Sequence, residues 1–194
     1  MGTQADKASA TRQAIVDAAR ALLAESEDAQ VSVADVAAAA GVTRVTVYNQ
    51  LGSRHGLLDA VFGQLAERGG MDRLIELTAE LPAREACTAV LKRTCSFWHA
   101  ERPVLHRLNG LAVLDTELAR VFATRESWRR DQLDNLLRRL AATDDITSAL
   151  PRGALLDGFV ALSSFQTYDR MGALAEHPVR AAKVLDRMLT GLIG

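Results

Sequence analysis

The sequence predicts an all-α protein, and three observations predict it. Apolar residues recur at steps of three and four almost from end to end, and long alternating runs of the strand type are missing. The balance of 48% hydrophobic to 24% charged residues is that of a chain that folds rather than one that stays disordered. At 194 residues the chain holds one domain with a sizeable core, or a small domain attached to a larger one.

The elements follow in order. Ile15, Ala18, Ala19, Leu22 and Leu23 make the stripe of a first helix from about Ala8 to Ala24, which the polar stretch Glu25 to Gln30 ends. Ser32 caps a second, short helix with Val33, Val36, Ala37 and Ala40 inward, Gly41 supplies a tight turn, and Thr43 caps a third helix. A fourth begins near Arg54 with Leu57, Leu58, Val61, Phe62 and Leu65 as its apolar positions. Gly69 and Gly70 then kink or break it, as a hinge or as a simple turn. Pro82 and Pro103 bracket a helix from about Ala83 to Ala100, and Asn109-Gly110 marks a junction. A long helix runs from about Thr116 to Ala142, Pro151 restarts the chain, and the last two helices span roughly Gly153 to Met171 and Pro178 to Ile193.

The most specific signal is residues 32–54, SVADVAAAAGVTRVTVYNQLGSR, in which two short helices joined at a glycine turn have the sequence form of a helix-turn-helix. At about 100° per residue, Val47 and Leu51 point one way and Val45, Thr46, Asn49 and Gln50 the other, with Arg44 and Tyr48 on the flank. An apolar back, a polar front and flanking residues that meet sugar-phosphate walls suit a helix lying in a DNA groove. The net charge of the chain is −1, so the electrostatic case for nucleic acid is local: Gly41 to His55 holds Arg44 and Arg54 and no acid, about +2.

With these residues the sequence resembles the TetR family of transcriptional regulators, whose N-terminal signature runs approximately T-x-x-x-I-A-x-x-A-G-V-S-x-G-T-L-Y-x-H-F-x-S-K. The resemblance covers about the first 60 residues; beyond them it is one of architecture only. Val45 stands where the family usually has glycine, Gln50 where it has histidine and Leu51 where it has phenylalanine. The resemblance implies that Thr46 and Tyr48 hold phosphates through their hydroxyls and that Arg54 replaces the family's phosphate-binding lysine. Thr43 is both cap and phosphate contact. Arg44 reaches a guanine or a phosphate, Asn49 and Gln50 read adenine or face solvent, and Val45 packs on a thymine methyl or holds the helix back.

Domain division follows as residues 1–54 for DNA binding and 55–194 for ligand binding and dimerisation. The resemblance implies a homodimer on a duplex DNA operator and a small, largely apolar effector. Dimerisation also has support in the residues. Gly153 to Met171 has hardly any polar face and Pro178 to Ile193 carries the stripe Ala181, Val184, Leu185, Met188, Leu189 and Leu192, so the pair is buried in a four-helix bundle of two subunits or within one. Candidate effector contacts are Trp98, His99, Asn109, Trp128, Phe159 and Ser163, each with ordinary core packing as its alternative.

Several classes of chemistry find no support. Cys87 and Cys95 lack CxxC spacing and are expected as free thiols, and Pro103 separates His99 from His106, so no metal site is expected. The chain has no G-x-S-x-G, P-loop, dinucleotide fingerprint, HExxH or paired-carboxylate motif. No catalytic residue and no cofactor is therefore assigned. No run of 18 apolar residues exists and MGTQADKASA lacks the apolar core of a secretory signal, so a cytoplasmic protein without a membrane partner is expected. A ligand-responsive repressor is the leading reading. A protein-binding adaptor with a degenerate helix-turn-helix and a small-molecule-binding helical enzyme are the alternatives.

Overall fold

Eleven α-helices and one 3-10 turn make up the computed structural model, which describes residues 4–25, 31–71, 73–143 and 146–194, at 75–77 the backbone only. Among the described residues there is no strand. The helices are α1 (Gln4–Glu25), α2 (Val33–Ala39), α3 (Arg44–Leu51), α4 (Arg54–Gly69), α5 (Leu74–Ala79), α6 (Ala83–Ala100) and α7 (Arg102–Ala112). There follow α8 (Thr116–Ala142), α9 (Arg152–Leu162), α10 (Phe165–Asp169), the 3-10 turn Gly172–Glu176 and α11 (Pro178–Ile193). They form two packed units, one taking the chain up to Ala66 with Pro103–Phe122, the other Glu67–Arg102 with Ala123–Gly194.

In the N-terminal unit α1 buries Ile15, Val16, Ala19 and Leu23 and packs on α2 and α3, where Val36, Ala37, Val47 and Leu51 are buried; α4 buries Leu57, Leu58, Val61, Phe62 and Leu65 in the same unit. α1 starts one turn earlier than its apolar stripe requires, because its first residues need no buried face to continue a helix already nucleated. Of the expected polar ending, only Glu25 lies within the described residues. Ser32 caps α2 in a reciprocal capping box with Asp35: the Asp35 amide donates to the Ser32 hydroxyl at 3.2 Å and the Ser32 amide to the Asp35 carboxylate at 3.2 Å.

Two expectations need correction. The junction expected at Asn109-Gly110 is absent: α7 runs through both residues, since the Asn109 amide donates to the Leu105 carbonyl one turn back at 2.8 Å and Leu108 is fully buried. The break comes instead at Asp115, whose carboxylate accepts the amides of Glu117 and Leu118 at 3.0 and 3.1 Å and so caps α8. The single helix expected over Gly153 to Met171 is broken at Ser163-Ser164. Ser163 donates its hydroxyl back to Phe159 at 2.8 Å, and Ser164 is extended, accepting the Thr167 amide at 3.1 Å as the cap of α10. The apolar residues that left no polar face on one helix thus lie on two helices with different faces. α5 occupies part of the stretch between Gly70 and Pro82 for which the apolar spacing assigns no helix.

The core of the C-terminal unit gathers Cys87, Leu91 and Cys95 of α6, Leu137 and Leu140 of α8, Leu155 and Phe159 of α9, Tyr168 of α10 and Leu185, Leu189 and Ile193 of α11. Tyr168 is fully buried and its hydroxyl donates to the Ala175 carbonyl at 2.5 Å. Arg102 holds the same region from the side, pairing with Asp169 at 2.8 Å and Glu176 at 2.6 Å.

Gly69 and Gly70 end α4 rather than kink it: Gly70 is left-handed at φ +60° and its amide donates to the Glu67 carbonyl at 2.9 Å. An added Cβ at Gly69 would lie 2.4 Å from Phe97 Cδ2, and one at Gly70 would meet the Arg93 guanidinium. Alanine at both positions therefore strains the helix end instead of stiffening a hinge. Gly69→Ala alone is expected to cost about 1–3 kcal/mol of stability by overpacking against Phe97, read as a lowered urea midpoint; an unchanged midpoint would show that the ring yields freely.

Candidate nucleic-acid interface and cavity

The turn between α2 and α3 is built from two hydrogen bonds and one glycine. Val42 donates to Ala37 at 2.9 Å, Gly41 to Ala38 at 3.2 Å, and Gly41 takes φ +66°, which leaves Thr43 free to start the next helix. The Thr43 hydroxyl accepts the Thr46 amide at 3.1 Å, and the two threonine hydroxyls lie 2.9 Å apart. One of their two protons closes that bond, and the other remains for an outside acceptor.

α3 then divides as its sequence predicts. Val47 and Leu51 are buried, while Arg44, Val45, Tyr48 and Asn49 are exposed and Thr46 and Gln50 half-buried. Val45 is 66% exposed and Tyr48 47%, so both side chains stand on the solvent face of α3 beside Arg44 and Asn49. Seven of the eight candidate DNA contacts, Thr43 to Gln50, thus share one short helix and its cap. Arg54, the eighth, opens α4 and has a partner that sequence spacing did not reveal. Its guanidinium pairs with the carboxylate of Asp115, which caps α8 with its other oxygen.

Two carboxylates therefore temper the local charge of the helix-turn-helix. The hydrogen bond from Arg54 holds the Asp115 carboxyl below its ordinary range, helped by the Leu118 amide. The Ser32 hydroxyl and amide do the same for the exposed Asp35, with the Arg44 charge adding to them. Arg12 of α1 is a second residue missed by local reading: its Nη1 donates to the Gln50 carbonyl at 2.7 Å.

In the C-terminal unit a cavity of about 280 Å³ opens among α5, α6, α8 and the end of α9. Met71, Leu74, Val90, Leu133 and Leu136 give it apolar walls, with Thr78, Thr94, Gln132 and Asn135 as polar points. Arg129 and Arg139 also line it but are engaged. Arg129 pairs with Glu126 and donates to Ser163, and Arg139 donates to the Thr78 carbonyl at 3.0 Å and to that of Leu81. Of the six candidate effector contacts, Trp128 and Ser163 line this cavity. Trp98 donates its indole N–H to the Ser163 carbonyl at 3.1 Å, and the exposed His99 holds the Ala175 carbonyl at 3.0 Å. Phe159 is fully buried in the core, and Asn109 belongs to the N-terminal unit.

Cys87 and Cys95 are free and buried, and burial pushes both thiols up to about 12, so they behave as small apolar core residues. No group of three or more metal-ligating side chains occurs among the described residues, and none of their helices is long and apolar enough to cross a membrane.

Among the described residues the fold is all-helical, with a helix-turn-helix near the N-terminus. Residues 15–61 match the family model for bacterial regulatory proteins of the tetR family. Over 57 residues the chain is 42% identical to the HTH-type transcriptional regulator AlkX of Mycobacterium tuberculosis, a match that covers 29% of this chain and only 27% of that regulator. Solved structures similar over nearly the whole length include a putative TetR-family regulator from a Rhodococcus species (20% identical, TM-score 0.71, covering 96% of this chain and 100% of that one). Another is a TetR transcription regulator from Haloarcula marismortui (12% identical, TM-score 0.73, covering 95% and 97%). A third is the transcriptional regulator FadR from Bacillus subtilis in complex with stearoyl-CoA (19% identical, TM-score 0.71, covering 94% and 99%). Residues 15–61 are thus similar to the DNA-binding segment of tetR-family regulatory proteins, and the fold over nearly the whole length is similar to that of the solved regulators.

Proposed function

We propose that the protein is a cytoplasmic, ligand-responsive transcriptional repressor, without catalytic activity or cofactor, that binds a near-palindromic duplex operator as a homodimer with each α3 in a major groove. The observation that carries this reading is the two-faced α3, with Val47 and Leu51 buried behind and Arg44, Val45, Tyr48 and Asn49 exposed in front. Residues 1–54 supply DNA binding and 55–194 the effector site and dimer contacts. Thr43, Thr46, Tyr48 and Arg54 hold phosphates, which fix register, while Arg44, Val45, Asn49 and Gln50 face base edges, which carry sequence information.

Dimerisation through α9 and α11 is supported by what the single chain leaves uncovered. α11 buries Ala181, Leu185 and Leu189 yet leaves Val179 63% and Met188 55% exposed, so its apolar stripe is wider than one unit's core uses. The cavity suits a small, largely apolar effector. For such a molecule to release DNA it must bind the DNA-free form better, and coupling of about 1–3 kcal/mol gives a 5- to 150-fold change.

The test is a gel shift with a pool of genomic fragments. Retardation that weakens steeply with salt supports the reading, and no retardation at low salt would leave the adaptor reading in its place. Val45 offers a sharper expectation. Its exposed isopropyl group packs on a thymine methyl, so Val45→Gly loses preference at one T position, by about 1–3 kcal/mol at most, while non-specific affinity persists. Tighter binding to every sequence would show that Val45 only holds the helix back.

A further inference from the structure

The last turn of α3 carries the two amides assigned to base edges, Asn49 and Gln50, on a helix only eight residues long. The last carbonyls of any helix lack intrahelical donors and must find others. Here the Gly52 amide donates to the Tyr48 carbonyl at 2.7 Å and the Ser53 amide to that of Leu51 at 2.9 Å. The Gln50 carbonyl takes its donor from 38 residues upstream, the Arg12 guanidinium on α1, at 2.7 Å. A cation at this place satisfies an orphan acceptor and opposes the negative end of the helix dipole.

We propose that Arg12 is a positioning residue of the DNA interface, one that fixes the Gln50 carbonyl and through it the angle at which Asn49 and Gln50 meet the bases. α1 is anchored by the fully buried Ile15, one turn beyond Arg12, so the guanidinium extends from a rigid base. Phosphate contacts at Thr43, Thr46 and Tyr48 sit before or early in the last turn and depend less on this grip. The bond therefore acts on discrimination between sequences more than on affinity for DNA as such. The inference rests on the reading that α3 binds DNA.

Its test compares wild type, Arg12→Met and Arg12→Lys on two duplexes, one selected by the wild-type protein from a random pool and one of the same composition scrambled, over a salt series. Amide hydrogen exchange is followed on the free proteins. Arg12→Met should lower the ratio of selected to scrambled affinity roughly three- to tenfold, the net worth of one solvent-exposed hydrogen bond, with the salt slope unchanged. Lysine, which also donates, should restore most of the ratio. In the free protein, Arg12→Met should speed exchange of the Gly52 amide and leave the Val36 amide of α2 unaffected. Equal loss on both duplexes with a slope shallower by about one unit would make Arg12 a phosphate contact and overturn the inference. An unchanged ratio would overturn it too. A wild-type protein that selects no duplex would overturn the DNA reading itself, and exchange at Gly52 would then decide alone whether Arg12 holds α3.

Discussion

Phe159→Ala is expected to destabilise the C-terminal unit by about 3–5 kcal/mol, the cost of removing a buried aromatic ring and leaving part of its volume empty. Phe159 is 0% exposed and belongs to the same core as Leu91, Leu155, Tyr168 and Leu185. Both tryptophans of the chain, Trp98 and Trp128, lie in this unit, so their fluorescence reports its unfolding without interference from the N-terminal helices. Because the chain has two units, the urea midpoint is taken from that signal alone rather than from a single whole-chain transition. A loss of effector binding with the midpoint unmoved would return Phe159 to the cavity wall, where sequence reasoning also placed it.

The second large effect concerns Arg54. Its charge is compensated by Asp115, so in the proposed role of Arg54 a DNA phosphate would have to compete with a carboxylate already in place. Asp115→Asn removes that competitor and keeps a side chain suited to capping α8. Affinity is expected to rise about three- to tenfold on every duplex at low salt, with a salt slope steeper by about 0.9. Arg54→Ala does the opposite, weakening all sequences alike and losing about one unit of slope. Weaker binding by Asp115→Asn would show that the carboxylate orients Arg54 toward the phosphate. The pH dependence has a definite sign. Asp115 is held below its ordinary range by Arg54, so the stability it contributes is present at neutral pH and lost only as pH falls through that lowered value. Between about pH 5 and 8 neither stability nor DNA affinity should follow its titration, which a binding series across that range checks.

Much of the fold was legible because its punctuation is local. Pro82, Pro103 and Pro178 set where α6, α7 and α11 begin, and α6, α8 and α11 run over the residues expected of them. Thr43 and Gly41 did the same for α3. The failures are equally physical. Asn109-Gly110 carries the composition of a turn but satisfies its amide within α7, and Ser163-Ser164 looks helical in its apolar spacing but caps a new helix with its own hydroxyl. The polar face of α3 was readable from angles alone. Its partners Arg12 and Asp115 were not, since they arrive from 38 residues before Gln50 and 61 residues after Arg54. The cavity took Trp128 and Ser163 from the aromatic and polar candidates but drew its walls from aliphatic residues that any core would use.

Sequencing the DNA that the purified protein selects from a random duplex pool tests the central claim most directly, that two copies of α3 read DNA about a two-fold axis. The account predicts an enriched motif with dyad symmetry, its half-sites one helical turn, about 34–36 Å, or a multiple of it apart, and loss of enrichment for an Arg44→Ala, Asn49→Ala double variant. A pool that returns no enriched sequence, or one motif without a dyad, would contradict it.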